Sequence, residues 1–268
     1  MTNKTDSLNV IEVKNLVIDY GDRRIIDDVS FDIPRGKIMV IIGGSGAGKS
    51  TILRSILGLK KPTSGSINIL GTDISVASKK ELYEVRKQMG VAFQGGALFS
   101  SMSVAENIQL ALKEHTLLDE KTIQIMTRIK LDMVNMLPYE NLMPAELSGG
   151  MTKRAALARA VIMDPKLLFF DEPSSGLDPI TSAELDELII MLKETMNMTI
   201  VVVTHDLESI FAIADYITIV EAGKIIKIGT PEEIKASSDE RIQNLLSRKP
   251  RDANEDSDIH LQRLMGRP

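Results

Sequence analysis

Cysteine is absent from all 268 residues, which excludes disulfides, thiolate metal sites and a thiol nucleophile together. That fits a cytosolic setting. Long apolar runs are missing too. No stretch approaches the ~20 residues that a bilayer-spanning helix needs, and Met1 to Asn9 is polar, without the apolar segment of a signal peptide. Basic residues are scattered through a chain of formal net charge -5. The electrostatic footprint of a nucleic-acid binder is therefore lacking, and no nucleic-acid partner is expected. These absences predict a soluble chain that reaches a membrane only through a partner. Its length suits one large domain, or a core with a subdomain, and allows a sizeable buried core.

What is present centres on Gly43-Gly44-Ser45-Gly46-Ala47-Gly48-Lys49-Ser50-Thr51. The apolar run Ile38 to Ile42 precedes it, and a helical pattern carrying Ile52, Leu53, Ile56 and Leu57 follows. In that strand, loop and helix order, G-x-x-x-x-G-K-[ST] signifies a phosphate-binding loop. Glycines let successive N–H groups converge, and the helix start adds its positive dipole end. Lys49 is expected to reach the β- and γ-phosphates and the Ser50 hydroxyl to hold Mg²⁺, so a nucleoside triphosphate should bind here.

A second focus lies at Leu167-Leu168-Phe169-Phe170-Asp171-Glu172, four apolar residues closing on two carboxylates. The continuous run predicts a strand buried on both faces of a parallel sheet, and the C-terminal ends of such strands are where ligands bind. Asp171 is expected to hold Mg²⁺, directly or through water, opposite Ser50. Glu172 is then free to act as general base on an attacking water. Gly90 to Phe93 reads as a short buried strand ending at Gln94, which either caps a loop, ligates Mg²⁺ or orients the water. Thr199 to Val203 reads as another buried strand, placing His205 where it can hydrogen-bond a γ-phosphate; His115 and His260 read as ordinary surface residues. Tyr20, just upstream of the loop, either stacks on a base or packs a hairpin.

The remaining pattern predicts an antiparallel sheet from Val10–Ile18 and Arg24–Ile33, then the nucleotide core interrupted by a helical insertion from Gly95 to Pro144. Methionines 126, 133, 136 and 143 fill the core of that insertion or face a repacking contact surface. Ser148 is positioned to cap a helix whose apolar face carries Met151, Ala155, Ala158 and Ile162. Ser148, Gly149 and Gly150 form either a simple capped start or a second anion site. Asp178 caps the next helix, with Pro179 at its first position. A hairpin at Glu221-Ala222-Gly223 and a short helix from Pro231 follow. The polar tail from Ser247, with its apolar patch at Ile259, Leu261 and Leu264, is either disordered or docked on a partner.

Assembled, these residues resemble the ATP-binding-cassette (ABC) ATPases from about Val10 to Gly229. The phosphate loop, Gln94, Leu147-Ser148-Gly149-Gly150, Asp171-Glu172, Asp178 and His205 occur in that family's order. The resemblance implies an α/β fold: a P-loop NTPase with a RecA-like parallel-sheet core, an N-terminal antiparallel β-subdomain and a helical insertion. It divides the chain into a core at 8–94 and 158–229, a helical signature subdomain at 95–157, and a C-terminal helix and tail at 230–268. It also implies ATP and Mg²⁺ as ligands and a head-to-tail homodimer. In that dimer Ser148, Gly149 and Gly150 serve the partner's nucleotide, and Asp178 lies at the interface. A narrower likeness, to the ATPase subunits of Mla-type phospholipid transporters, rests on Gly95-Gly96-Ala97-Leu98-Phe99, Lys113-Glu114-His115-Thr116 and Met151 after the signature. It implies a subunit on the cytoplasmic side of the inner membrane, bound to an integral permease, a STAS-domain protein and, through the permease, a periplasmic MCE lipid-binding protein.

Overall fold

The computed structural model describes residues 8–247. His260 and all but the first residue of the tail lie outside the described residues. Two long strands open the fold, β1 (Asn9–Tyr20) and β2 (Arg23–Pro34), paired antiparallel. Next come β3 (Ile38–Ile42), α1 (Lys49–Ile56), β4 (Ser64–Ile69) and the short β5 (Thr72–Asp73). Strand β4 returns across the first helix to pair with β1, so the antiparallel sheet runs β2-β1-β4-β5. This sheet is thus completed by a segment that follows the glycine loop, and α1 shares a core with both it and the parallel strands.

The second sheet has six strands: β6 (Met89–Ala92), β7 (Leu167–Asp171), β8 (Thr199–Val203), β9 (Tyr216–Glu221) and β10 (Lys224–Gly229) join β3. Their order is β10-β9-β3-β8-β7-β6, parallel except for the β9–β10 hairpin. All five residues of β3 are buried, and so are all five of β8. Alternate side chains enter two different cores. Ile38, Val40, Leu168, Phe170, Ile200 and Val202 face the helices, while Met39, Ile41, Leu167, Phe169, Val201 and Val203 face α1 and the antiparallel sheet. Covering both faces is what makes these strands continuous apolar runs. Truncating a fully buried phenylalanine such as Phe170 costs about 3–5 kcal/mol, so strand positions are tightly specified.

Helices supply the cover: α2 (Lys79–Arg86), α3 (Val104–His115), α4 (Glu120–Met133), α5 (Gly149–Ala160), α6 (Pro179–Met196), α7 (Leu207–Ile213), α8 (Pro231–Lys235) and α9 (Glu240–Leu246). Ser78 with Glu81 and Ser103 with Glu106 form capping boxes at α2 and α3, satisfying N–H groups the helices leave open. Helix α5 buries Ala155 through Ala158, a wider face than the spacing of Ala155 and Ala158 suggests, and it runs through the expected boundary at 157–158.

Two expectations need correction. The strand expected at Gly90–Phe93 is Met89–Ala92, and it lies at the sheet edge, where Met89 and Val91 are only half-buried and Phe93 is 40% exposed. An apolar run at an edge has a neighbour on one side alone, which periodicity does not reveal. The single short helix expected from Pro231 is followed by a second, α9. It is short and mostly polar, and it attaches chiefly through Ile242, with Leu245 and Leu246 beside it.

Candidate active site

The loop between β3 and α1 is shaped by close approach. Gly43 has φ 157, and a Cβ there would lie 2.1 Å from the Val220 carbonyl oxygen, so the end of β3 meets β9 only with glycine at that point. Buried Ala47 accepts the Gly223 N–H at 3.1 Å. Gly48, left-handed, caps α1 with no side-chain bond. Ser45, Gly46 and Ser50 are exposed, and Thr51 is half-buried in the first turn of α1. Lys49 Nζ folds back onto the carbonyl oxygens of Gly43 and Gly44, at 2.8 and 3.0 Å. Burial holds its ammonium below the usual lysine range, against the opposing pull of Glu172 and Asp171.

Strand β7 carries the two carboxylates toward this loop. Burial, and then the Glu172 charge, raise Asp171 above the ordinary aspartate value, with Arg54, Lys49 and Lys153 acting in the other direction. Glu172 leaves the strand with φ 53, its N–H tied to the Val203 carbonyl at 2.8 Å. Left-handed backbone at a non-glycine residue costs of order 1–3 kcal/mol and persists where the surroundings enforce it. Glu172 Oε2 is buried and has no hydrogen-bond partner, although His205 Nδ1 stands 2.9 Å away. The imidazole is within ion-pair range but does not approach as a hydrogen-bond donor, so an acceptor remains unspent. Gln94 Nε2 donates to Ser175 Oγ at 3.1 Å, turning its carbonyl oxygen into the free end of the amide.

A cleft of about 1400 Å³ brings together Gly43, Gly44, Ser45, Lys49, Glu172 and His205. Asp206 and α9 residues line its far side. Tyr20 does not line it. Its ring is 43% exposed, with Lys60 Nζ 4.2 Å above the face, and Tyr20 pairs with Arg23 at the end of the β1–β2 hairpin. Ser148 is exposed and caps α5 through the Met151 N–H, with Gly149 and Gly150 in the first turn. None of these three lines the cleft of its own chain. Asp178 caps α6, accepting from the N–H groups of Ile180 and Thr181 and from the Thr181 hydroxyl. Those bonds hold its carboxyl low, the Thr181 hydroxyl first among them. His115 is an exposed residue, and its Nδ1 meets the Tyr83 hydroxyl at 3.0 Å.

Three contributors escaped the motif reading. Lys153 Nζ donates to the Gln94 and Glu172 carbonyl oxygens, Arg159 donates to those of Gly96 and Ala97, and Ser175 takes the Gln94 amide. The available signal is three cations, Lys153, Arg154 and Arg159, within an otherwise alanine-rich helical stretch.

The donors named for Mg²⁺, the Ser50 hydroxyl, the Gln94 carbonyl and the Asp171 carboxylate, are all hard oxygens. Among the described residues no three His, Cys, Asp or Glu side chains gather as a metal site. A cation here would complete its shell from water and phosphate oxygens, as Mg²⁺ does at triphosphates. With the free side-chain carbonyl of Gln94 and the unspent Glu172 oxygen alongside, the residues fit that ion.

The sequence profile of the ABC transporter family matches residues 26–175, more than half of the chain. The chain belongs to the ABC transporter ATP-binding family. The intermembrane phospholipid transport system ATP-binding protein MlaF of Haemophilus influenzae is 46% identical over 238 residues, 89% of this chain and 90% of that protein. The probable ribonucleotide transport ATP-binding protein mkl of Mycobacterium leprae is 44% identical, over 87% of this chain and 67% of its own length. Among solved structures, the dimeric post-hydrolysis state of the ATP-binding cassette MJ0796 with ADP and Pi superimposes with a TM-score of 0.75 at 28% identity, covering 82% of this chain and 98% of that one. The α/β cassette fold, with its antiparallel N-terminal sheet, is therefore the expected one, and the likeness to MlaF is borne out. As an ABC ATPase the protein binds and hydrolyses ATP. No helix of the described residues is long and apolar enough to cross a membrane.

Proposed function

We propose that this ABC ATPase powers phospholipid traffic between the inner and outer membranes and so maintains outer-membrane lipid asymmetry. It sits on the cytoplasmic face of the inner membrane, bound to an integral permease and a STAS-domain protein, with a periplasmic MCE protein reached through the permease. The support for this cargo is the 46% identity to MlaF across nine-tenths of both chains. The relative named for ribonucleotide transport is less identical and is matched over a smaller share of its length. The chemistry rests on one observation: Glu172, which keeps a buried side-chain oxygen without a hydrogen-bond partner, lines the same cleft as Lys49 and His205.

In that cleft Lys49 exchanges the Gly43 and Gly44 carbonyls for β- and γ-phosphate oxygens, while loop N–H groups from Gly43 to Thr51 cradle the phosphates. Tyr20 supplies a ring for the base, on the face Lys60 does not cover. Ser50, Gln94 and Asp171 hold Mg²⁺, which neutralises charge on the phosphate oxygens. His205 hydrogen-bonds the γ-phosphate. Glu172 removes a proton from water as the water oxygen bonds to the γ-phosphorus. The bond from that phosphorus to the β,γ-bridging oxygen breaks, ADP keeps the bridging oxygen, and inorganic phosphate forms. Ser148, Gly149 and Gly150 lie outside their own cleft and present their helix start to the nucleotide of a second copy, with Asp178 beside that contact. Head-to-tail closure supplies two composite sites by symmetry.

The test is the reconstituted complex placed between donor and acceptor lipid vesicles. ATP-dependent transfer of labelled phospholipid, lost with Lys49→Ala, is the expected result. ATP hydrolysis indifferent to phospholipid but stimulated by ribonucleotides would transfer the assignment to the mkl-like cargo.

A further inference from the structure

We infer that Lys153 is a positioning residue that holds Gln94 and Glu172 in fixed register with the helix that begins at Ser148. The inference rests on the roles proposed above for those two residues. Lys153 lies on α5, one turn beyond the signature start. Its Nζ donates to two backbone carbonyls, that of Gln94 and that of Glu172, the latter at 3.2 Å. These belong to segments 59 and 19 residues away in sequence. One ammonium therefore joins the residue that would help hold Mg²⁺ to the residue that would deprotonate the water.

The arrangement is reinforced along the same helix. Arg159 donates to the carbonyls of Gly96 and Ala97 at 2.7 Å each, so the backbone immediately after Gln94 is gripped at a second point. On the Glu172 side, the backbone is left-handed and needs restraint. Its N–H is held by Val203 and its carbonyl also receives the Ser175 N–H, at 3.3 Å. Lys153 is the charged member of that set. Burial holds the half-buried ammonium below the usual lysine range, against the opposing pull of the Glu172 and Asp171 charges. By contrast α5 itself is anchored without Lys153, through buried Ala155 to Ala158 and the Ser148 cap. Removing the ammonium loosens two backbone carbonyls and leaves the hydrophobic packing intact. Displacing reacting groups by about 1 Å can cost 10²-fold in rate, whereas nucleotide affinity depends on the glycine loop, which Lys153 does not touch.

The experiment uses the full chain and compares Lys153→Met, Lys153→Arg and Glu172→Gln by steady-state ATP hydrolysis, fluorescent-nucleotide binding and thermal melting. The expected result is a kcat for Lys153→Met lowered about 10- to 100-fold with KM for ATP within about threefold. Melting should stay close to that of the unsubstituted protein, and Lys153→Arg, which retains cationic donors, should recover most of the rate. A normal kcat in Lys153→Met overturns the inference. So does a loss shared equally by melting, binding and rate that arginine does not rescue, since that is scaffolding. Glu172→Gln separates the two levels. If it still hydrolyses ATP normally, the reading of the site fails; if it is inactive while Lys153→Met is normal, only the positioning role fails.

Discussion

Glu172→Gln is the sharpest perturbation of the site. The two side chains are nearly isosteric, and the Oε2 that becomes an amide accepts no hydrogen bond. The substitution therefore breaks no hydrogen bond at that oxygen, where His205 Nδ1 stands 2.9 Å away outside hydrogen-bond geometry. Backbone restraints on Glu172, through Val203, Ser175 and Lys153, do not involve the side chain. Folding and MgATP binding should be retained. What disappears is the base, worth roughly 10²- to 10⁴-fold in general acid–base catalysis, or about 3–5 kcal/mol of barrier. Single-turnover phosphate release, measured with enzyme in excess, reads that step directly. Nucleotide binding and melting temperature, measured in parallel, should move little. ATP-bound dimer should accumulate. Release within a fewfold of the unsubstituted rate would remove Glu172 from the chemistry and leave the water to another acceptor.

Lys49→Ala should instead weaken nucleotide binding itself, by at least about tenfold, since a charge-assisted contact to phosphate is worth about 1.5–3 kcal/mol; unchanged affinity in a titration with labelled ATP would place the triphosphate elsewhere. Ser45→Cys with Ser148→Cys puts the only thiols at two exposed positions, and a short bifunctional reagent should join two copies in a yield that rises with MgATP; a yield indifferent to nucleotide refutes head-to-tail closure. Asp186, buried on α6, is pushed up to about 6 by burial, with the Ser209 hydroxyl lowering it and Asp206 raising it. Its raised native value means the folded state holds this proton more tightly, so the associated stability is present below about pH 3.9 and is lost as pH rises through about 6. Asp186→Asn should therefore gain on the native protein by up to about 3 kcal/mol between acid and neutral pH; parallel denaturation curves at pH 4.5 and 7.5 with no relative gain would contradict this.

What sequence made legible was local. A phosphate loop is nine consecutive residues, and a strand closing on Asp171-Glu172 is six, so pattern and flanks specify them together. Ser148 and Asp178 as helix caps follow from side-chain chemistry acting within three residues. The unread parts depend on long-range assembly. Lys153 and Arg159 bind carbonyl oxygens, which every residue possesses, so no residue type marks their targets. The pairing of β4 with β1 spans the entire loop and its helix, and the edge position of β6 is a property of the sheet. Phe93 looked buried because an apolar run carries no sign of which strand end lacks a neighbour. Tyr20 is open to stacking or packing on its sequence position, and the Lys60 ammonium over its exposed ring is a contact that no motif marks.

The β9–β10 turn has a consequence for anyone rebuilding this protein. Two-residue hairpin tips are usually the places where peptide tags and inserted domains are tolerated. Here both central residues, Ala222 and Gly223, have positive φ, 47 and 79, as a tight primed turn requires. The tip is also wedged inward. Gly223 donates to Ala47 at 3.1 Å and accepts from Asp27 at 2.9 Å, and a Cβ on it would fall 2.3 Å from the Ile25 carbonyl oxygen. The turn thereby acts as a keystone between the antiparallel sheet and the phosphate loop. An epitope inserted at 222–223 should abolish ATP binding although it touches no nucleotide contact. The Gly21 turn, where an added Cβ meets nothing within 4 Å, has the room that the other lacks.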